Sequence, residues 1–340
     1  MVGIEQLRRP GGRAVQVLAV AACYYAAARL GLLRQLTVEG AIVTPVWPPT
    51  GVAVAALLIL GLRCWPGITL GAFFSVLSLT TPGPDVLVIL FGNTAAPVCA
   101  ALLLRRAGFR TGLSRLRDGL ALVFLAALGA MLISATVGVG LLVLNNSLPA
   151  HSFWTVWLAW WVGDAMGVLI VTPLLLLLSG ARRPLPLRRW KEATALAVVA
   201  CLLIPLAAYS PISMLFLVYP LIIWAALRFQ LVGSALCVLL TSVTATVAAT
   251  DRHGAFAGLN RIEVMLKLQA FNGAMALTAL LLSAVITEQR NTRRSVEHAC
   301  QELVEVLEHL NAGEAPPPRP QSAAESSDHR DDRPWPTGAP

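Results

Sequence analysis

The sequence predicts an all-α fold: a polytopic integral-membrane helical bundle of about 8–10 transmembrane helices. Three observations predict it. Apolar segments of membrane-spanning length recur between Ala14 and Ile286, separated by short loops. The chain is 56% hydrophobic and 13% charged, with a mean hydropathy of +0.70, whereas soluble chains carry about twice that charge. Basic residues gather in alternate loops, as retention of Lys and Arg in the cytoplasm requires.

A helix crosses the hydrocarbon core with about 20 apolar residues, because each residue rises about 1.5 Å. Residues 14–33 form the first span. Its basic flank and Ala26-Ala27-Ala28 imitate a signal peptide, but the apolar run is longer than a typical h-region and further spans follow, so it is expected to stay uncleaved. Residues 46–79 are interrupted at Arg63-Cys64-Trp65-Pro66-Gly67, and Pro and Gly there predict two short helices joined by a turn. Full spans are predicted over 86–104, 119–144, 153–179, 192–209, 231–249 and 264–286. Residues 212–227 are short and hold Pro220. Counting every segment gives ten spans, and the conservative count is eight. The transmembrane domain thus covers 14–286.

Beyond it the composition changes. Residues 287–312 are charged and helix-prone. Val296, Ala299, Leu303, Val306 and Leu310 follow alternating steps of three and four, a seam of about two heptads. This is expected to be a signalling helix that pairs two chains, or a solvated continuation of the last span. Residues 313–340 are rich in Pro, Ser, Asp and Arg and are expected to be disordered.

Orientation follows from charge. Alternating ten spans from a cytoplasmic N-terminus places inside Arg8, Arg9, Arg13, Arg63, Arg105, Arg106, Arg110, Arg115, Arg117, Arg182, Arg183, Arg188, Arg189, Lys191, Arg228, Arg290, Arg293 and Arg294. Only Arg34, Arg252, Arg261 and Lys267 fall outside or near it. Removing a pair of spans preserves this pattern, so an even number with both termini cytoplasmic is expected. The net charge of +8 therefore sits in loops facing anionic headgroups, and no nucleic-acid partner is expected. The six cysteines form no CxxC pair and read as small packing residues. No metal or other cofactor is expected. The chain has no phosphate-binding loop, no Gly-x-Ser-x-Gly elbow and no His-Glu-x-x-His pair, and it is read as a non-enzyme.

Function must then reside in polar residues that lipid disfavours. Trp47-Pro48-Pro49-Thr50-Gly51 opens the second span. Pro suits a first helical turn and Trp an interface; alternatively this is a broken helix whose free N–H groups meet a polar ligand. Asn93 and Thr94 lie inside 86–104, where Asn commonly bonds a neighbouring helix. Trp154, Trp157, Trp161 and Asp164 are spaced three and four apart on one helix face. Asp164 lies roughly 16 Å along its helix from the outer end, where a carboxylate is costly unless paired, protonated or in a wet cavity. Gly163 and Gly167 beside it permit close helix approach. Arg29 is a possible counter-charge, or it snorkels to the surface. The candidate ligand-binding or signal-sensing residues are Asp164, Trp157, Trp161, Trp47, Thr50, Asn93 and Arg29.

These motifs have a familiar order. Trp47-Pro48-Pro49-Thr50-Gly51-Val52-Ala53, Trp65-Pro66-Gly67-Ile68-Thr69-Leu70-Gly71-Ala72-Phe73, Gly92-Asn93-Thr94, and Trp160-Trp161-Val162-Gly163-Asp164-Ala165-Met166-Gly167 with Thr172-Pro173 resemble the membrane-associated sensor domain family, first class (MASE-type). The resemblance covers roughly residues 14–290. It implies a bacterial inner-membrane sensing domain, generally of eight spans, that precedes a histidine kinase, a PAS domain or a cyclic-di-GMP enzyme. Two positions depart from the family: Ala95, Ala96 and Pro97 follow Gly-Asn-Thr where a Glu is common, and Phe74, Ser75 and Val76 follow Gly-Ala-Phe where an Asn is common. No kinase or cyclase sequence follows here, so the output is expected in a separate kinase or cyclic-di-GMP enzyme, with homodimerisation through the C-terminal helix. The alternative from another class is a small-solute transporter or substrate-binding membrane subunit, which broken helices and a midplane acid also suit.

Overall fold

A computed structural model describes residues 10–79, 83–180, 190–212 and 214–311. Arg8, Arg9, Arg182, Arg183, Arg188, Arg189 and the tail 313–340 lie outside the described residues. The chain divides into two compact units, Met1–Gln289 and Arg290–Pro340.

The first unit is a helical membrane bundle. Helix α1 (Pro10–Leu32) leads into a hairpin of β1 (Leu36–Val38) and β2 (Ala41–Val43), antiparallel with Val38 opposite Ala41. Glu39 and Gly40 both have positive φ, 51° and 84°, the geometry of a tight two-residue hairpin turn. The hairpin lies in a stretch read only as a loop between spans, because three-residue strands are too short to show alternation. Then come α2 (Pro48–Ile59), α3 (Trp65–Leu77) and α4 (Asp85–Arg106). Helix α5 (Leu116–Leu144) contains a widened π-type stretch over Leu122–Ala130. It is followed by α6 (Phe153–Gly180), α7 (Trp190–Tyr209), α8 (Val218–Thr250) and α9 (Arg261–Asn311), of which 261–289 belong to this unit.

Seven of these helices are long and apolar enough to cross a membrane. Helices α2 and α3, with 12 and 13 residues, reach about 18–20 Å at the helical rise, less than the ~30 Å hydrocarbon core. They turn at Gly61, whose φ of 97° is open to glycine at little cost. The reversal therefore comes just before the expected Arg63–Gly67 segment, and Pro66 instead sits in the first turn of α3. Helix α8 breaks at Gln230 (φ 56°, ψ −145°). The chain bends so sharply there that a Cβ on Gly233 would lie 2.5 Å from that of Phe229 and 3.1 Å from the Ala225 oxygen. Residues 218–229 and 231–250 are thus separate segments, as the short stretch with Pro220 predicted.

Small residues set the helix spacing. Helix α3 packs closely on α1 through Gly67 and Gly71: added Cβ atoms would lie 2.5 Å from the Val17 oxygen and 2.7 Å from the Tyr24 Cβ. At one end of the bundle Arg105 Nη2 donates to Leu57 O at 3.0 Å, satisfying a carbonyl in the last turn of α2, and Arg228 pairs with Glu192. At the hairpin end, Arg34 pairs with Asp251 at 3.0 Å, Arg261 Nη1 donates to Thr37 O at 3.4 Å and Ser152 Oγ donates to Glu39 Oε2 at 3.2 Å.

In the second unit the chain stays helical to Asn311. Val296, Leu303 and Val306 are exposed, and Arg293–Glu297 (2.8 Å) forms an i,i+4 ion pair.

Candidate functional site

The site begins where α2 meets α6. Pro48 and Pro49 bring no N–H to the first turn of α2, and the Thr50 N–H already donates to Trp47 O at 3.3 Å. These three residues therefore offer no spare donor to an anion. The backbone is locked to α6 instead: Trp47 N–H donates to Gly163 O at 2.9 Å, and Thr172 Oγ1 donates to Gly51 O at 3.1 Å. Only glycines allow this approach. A Cβ on Gly167 would lie 1.9 Å from Trp47 O, one on Gly51 2.2 Å from Gly167 O, and one on Gly163 2.5 Å from Thr44 O.

This clamp places Thr50 against Asp164. Thr50 Oγ1 donates to Asp164 Oδ1 at 2.6 Å, with both side chains buried. The Ser134 side chain from α5 lies beside the same carboxyl, but Asp164 Oδ2 has no hydrogen-bond partner. Asp164 is only 1% exposed, and it lines a cavity of about 180 Å³. Tyr24 of α1, Trp47, Trp160 of α6 and Asn93 of α4 share the lining. Ile42, Val43 and Thr44 close it from the hairpin side, and Ala72, Ser75 and Val76 of α3 form another wall. The Trp47 side chain lies beside the Tyr24 hydroxyl. The Ser75 hydroxyl donates to Gly71 O at 2.8 Å, within its own helix. The lining residues include no Lys, Arg or His.

Four of the seven residues singled out in the sequence thus converge: Asp164, Trp47 and Asn93 line the cavity, and Thr50 holds the acid. Trp157 and Trp161 turn to α5. Trp161 Nε1 donates to Leu128 O at 2.9 Å, within the widened π stretch, and Trp157 Nε1 donates to Thr136 Oγ1 at 3.1 Å. Their rings stack at 5.6 Å. Arg29 is exposed on α1, and no ion pair joins it to Asp164 among the described residues. Tyr24, Trp160, Thr44 and Ser75 were not singled out. Trp160 precedes Asp164 by four residues, a spacing that places the two on one face; a choice between Trp160 and Trp161 needed the neighbouring helix. Tyr24 and Tyr25 both carry a hydroxyl in an apolar stretch, and only the packed neighbours decide which one enters the cavity. Among the described residues no cluster of His, Cys, Asp and Glu could hold a metal ion.

The MASE1 family model covers residues 16–290. No curated protein and no solved structure matches.

Proposed function

The chain belongs to the MASE1 family of membrane sensory domains, and on that premise we propose that it is a sensor of the bacterial cell membrane whose membrane domain signals without catalysis. Both termini lie in the cytoplasm. A signal acts at Asp164, the last span carries the change to residues 290–311, and a kinase or cyclic-di-GMP enzyme reads it there from a homodimer.

The observation that carries this reading is the Asp164 carboxyl, buried in a cavity with one oxygen unpartnered. An acid at such a depth is functional by default. The same helix reaches the last span: Gln269 Nε2 donates to Ala159 O at 2.8 Å, and Met166 Cε lies 3.8 Å from where a Gly273 Cβ would be. The orientation is supported by the excess of basic residues in alternate loops, such as Arg105, Arg106, Arg110, Arg115 and Arg117 between the main parts of α4 and α5, against few at the hairpin end.

The test compares Asp164→Asn with the parent in membranes, using a background lacking the native cysteines and a Leu303→Cys reporter. Disulfide crosslinking between chains is followed from pH 5 to 8 relative to a Gln301→Cys reporter on the same helix, so that thiol ionisation cancels. Asn keeps the shape but cannot ionise, and Tyr24 is the other titratable group lining the cavity. The parent is expected to change its crosslinking across this range and the variant to stay fixed. An Asp164→Asn profile that follows the parent rejects Asp164 as the sensing group.

A second reading draws on the same cavity and on the helix breaks at Gly61 and Gln230: a small-solute transporter or substrate-binding membrane subunit. Accumulation of a bound solute inside sealed proteoliposomes would favour it over sensing.

A further inference from the structure

The cavity beside Asp164 has a chemistry that selects among ligands. Its one acid is buried and leaves Oδ2 without a partner. Three aromatic side chains, Tyr24, Trp47 and Trp160, share the lining, and no basic residue does. We propose that this cavity binds a small organic ammonium ion, with the cationic head beside Asp164 and against the aromatic rings; the proposal rests on the reading of Asp164 as the sensing group.

The alternatives fail on the same observations. An anion would face the carboxylate with no Lys, Arg or His in the lining to compensate it. A metal cation needs several strong ligands, and no group of three or more His, Cys, Asp or Glu side chains that could hold one occurs among the described residues. A sugar needs many donors and acceptors, but the remaining lining is largely apolar, with Leu32, Ile42, Val43, Val76, Leu79 and Ile89. A proton alone needs neither the volume nor the rings. An ammonium ion uses every feature. Its charge neutralises a buried carboxylate that is otherwise costly. The electron-rich faces of Trp and Tyr attract it, more strongly where water is excluded. Its alkyl groups meet the apolar wall. Size is also consistent: an engineered cavity of about 150 Å³ holds benzene, so about 180 Å³ suits a ligand of slightly larger size, such as a trimethylammonium alcohol.

The experiment uses the full chain in lipid nanodiscs and three probes: choline, tetramethylammonium and 3,3-dimethylbutan-1-ol, the uncharged carbon analogue of choline. Binding is read from tryptophan fluorescence and, independently, from isothermal calorimetry. Saturable binding of the two ammonium ions is expected, with the uncharged analogue at least tenfold weaker. Asp164→Asn is expected to weaken choline at least tenfold. Ser75→Leu, which fills the cavity without touching the Asp164–Thr50 bond, is expected to abolish binding while the protein remains monodisperse and membrane-embedded. Equal binding of choline and its uncharged analogue, unchanged binding by Asp164→Asn, or no saturable binding of either ammonium ion overturns the proposal. The sensing reading fails separately. Ammonium binding without any change in Leu303→Cys crosslinking leaves the ligand class standing and removes the sensing role. A crosslinking response that depends on Asp164, with no ammonium binding, does the reverse.

Discussion

The Thr50–Asp164 bond decides how the acid is held. A buried acceptor that loses its donor keeps its desolvation penalty, about 1–3 kcal/mol. Thr50→Val removes the 2.6 Å hydroxyl contact at nearly constant volume and is expected to lower stability by about that amount. Thr50→Ser retains the hydroxyl and is expected to lose much less. Thermal unfolding of the detergent-purified variants checks this, and a Thr50→Val loss no larger than that of Thr50→Ser would show that the hydroxyl bond does not stabilise the site. The sequence showed Asp164 clearly, because an acid midway along an apolar run stands out against the solvation cost of charge in lipid. It could not show that Thr50, 114 positions away in sequence, is its donor. Nor could it separate Trp160 from Trp157 and Trp161, since consecutive and near-consecutive tryptophans surround a helix and only the packed neighbours decide which ring enters the cavity.

Among elements, the α2–α6 contact is governed by backbone, not by side chains. Gly167→Ala places a methyl group 1.9 Å from Trp47 O. The start of α2 must move, with an expected loss of about 1–3 kcal/mol, as for overpacking, and with disruption of the Thr50–Asp164 bond. Gly140→Ala in α5 is the control, because nothing lies within 4 Å of its added Cβ and Ala favours a helix by about 1 kcal/mol. Unfolding of the two variants in parallel is expected to give shifts of opposite sign. The helices themselves were readable from hydropathy: the expected 86–104 and 153–179 correspond to Asp85–Arg106 and Phe153–Gly180. What periodicity missed are features made by single residues or by pairing across a turn. The hairpin depends on Glu39 and Gly40 adopting positive φ, and glutamate gives no advance sign of that conformation. The widening of Leu122–Ala130 is likewise invisible in a uniformly apolar run.

For the whole molecule, topology is the decisive quantity. With the native cysteines removed, cysteines introduced at positions 110, 186 and 330 are expected to resist membrane-impermeant thiol reagents in intact cells and to react after permeabilisation, because Lys and Arg retain these loops inside. Labelling of any of them from outside reverses the orientation. The hairpin and Arg34, which leads into it, touch three distant parts of the bundle: Asp251 beyond α8, Arg261 at the start of α9 and Ser152 before α6. Its residues Ile42, Val43 and Thr44 also border the cavity. That geometry has a kinetic consequence. The Arg34–Asp251 pair is about two-fifths exposed on each side, so it contributes only ~0–1 kcal/mol and is screened by salt. A latch of that strength slows passage without changing where equilibrium lies. A Ser75→Cys side chain, placed on the cavity wall, is therefore expected to react with a small thiol reagent faster as ionic strength rises. Arg34→Gln is expected to give the fast rate already at low salt. Exchange between the cavity and the solution at the hairpin end would then be timed by the ionic strength there, with the equilibrium left as it was.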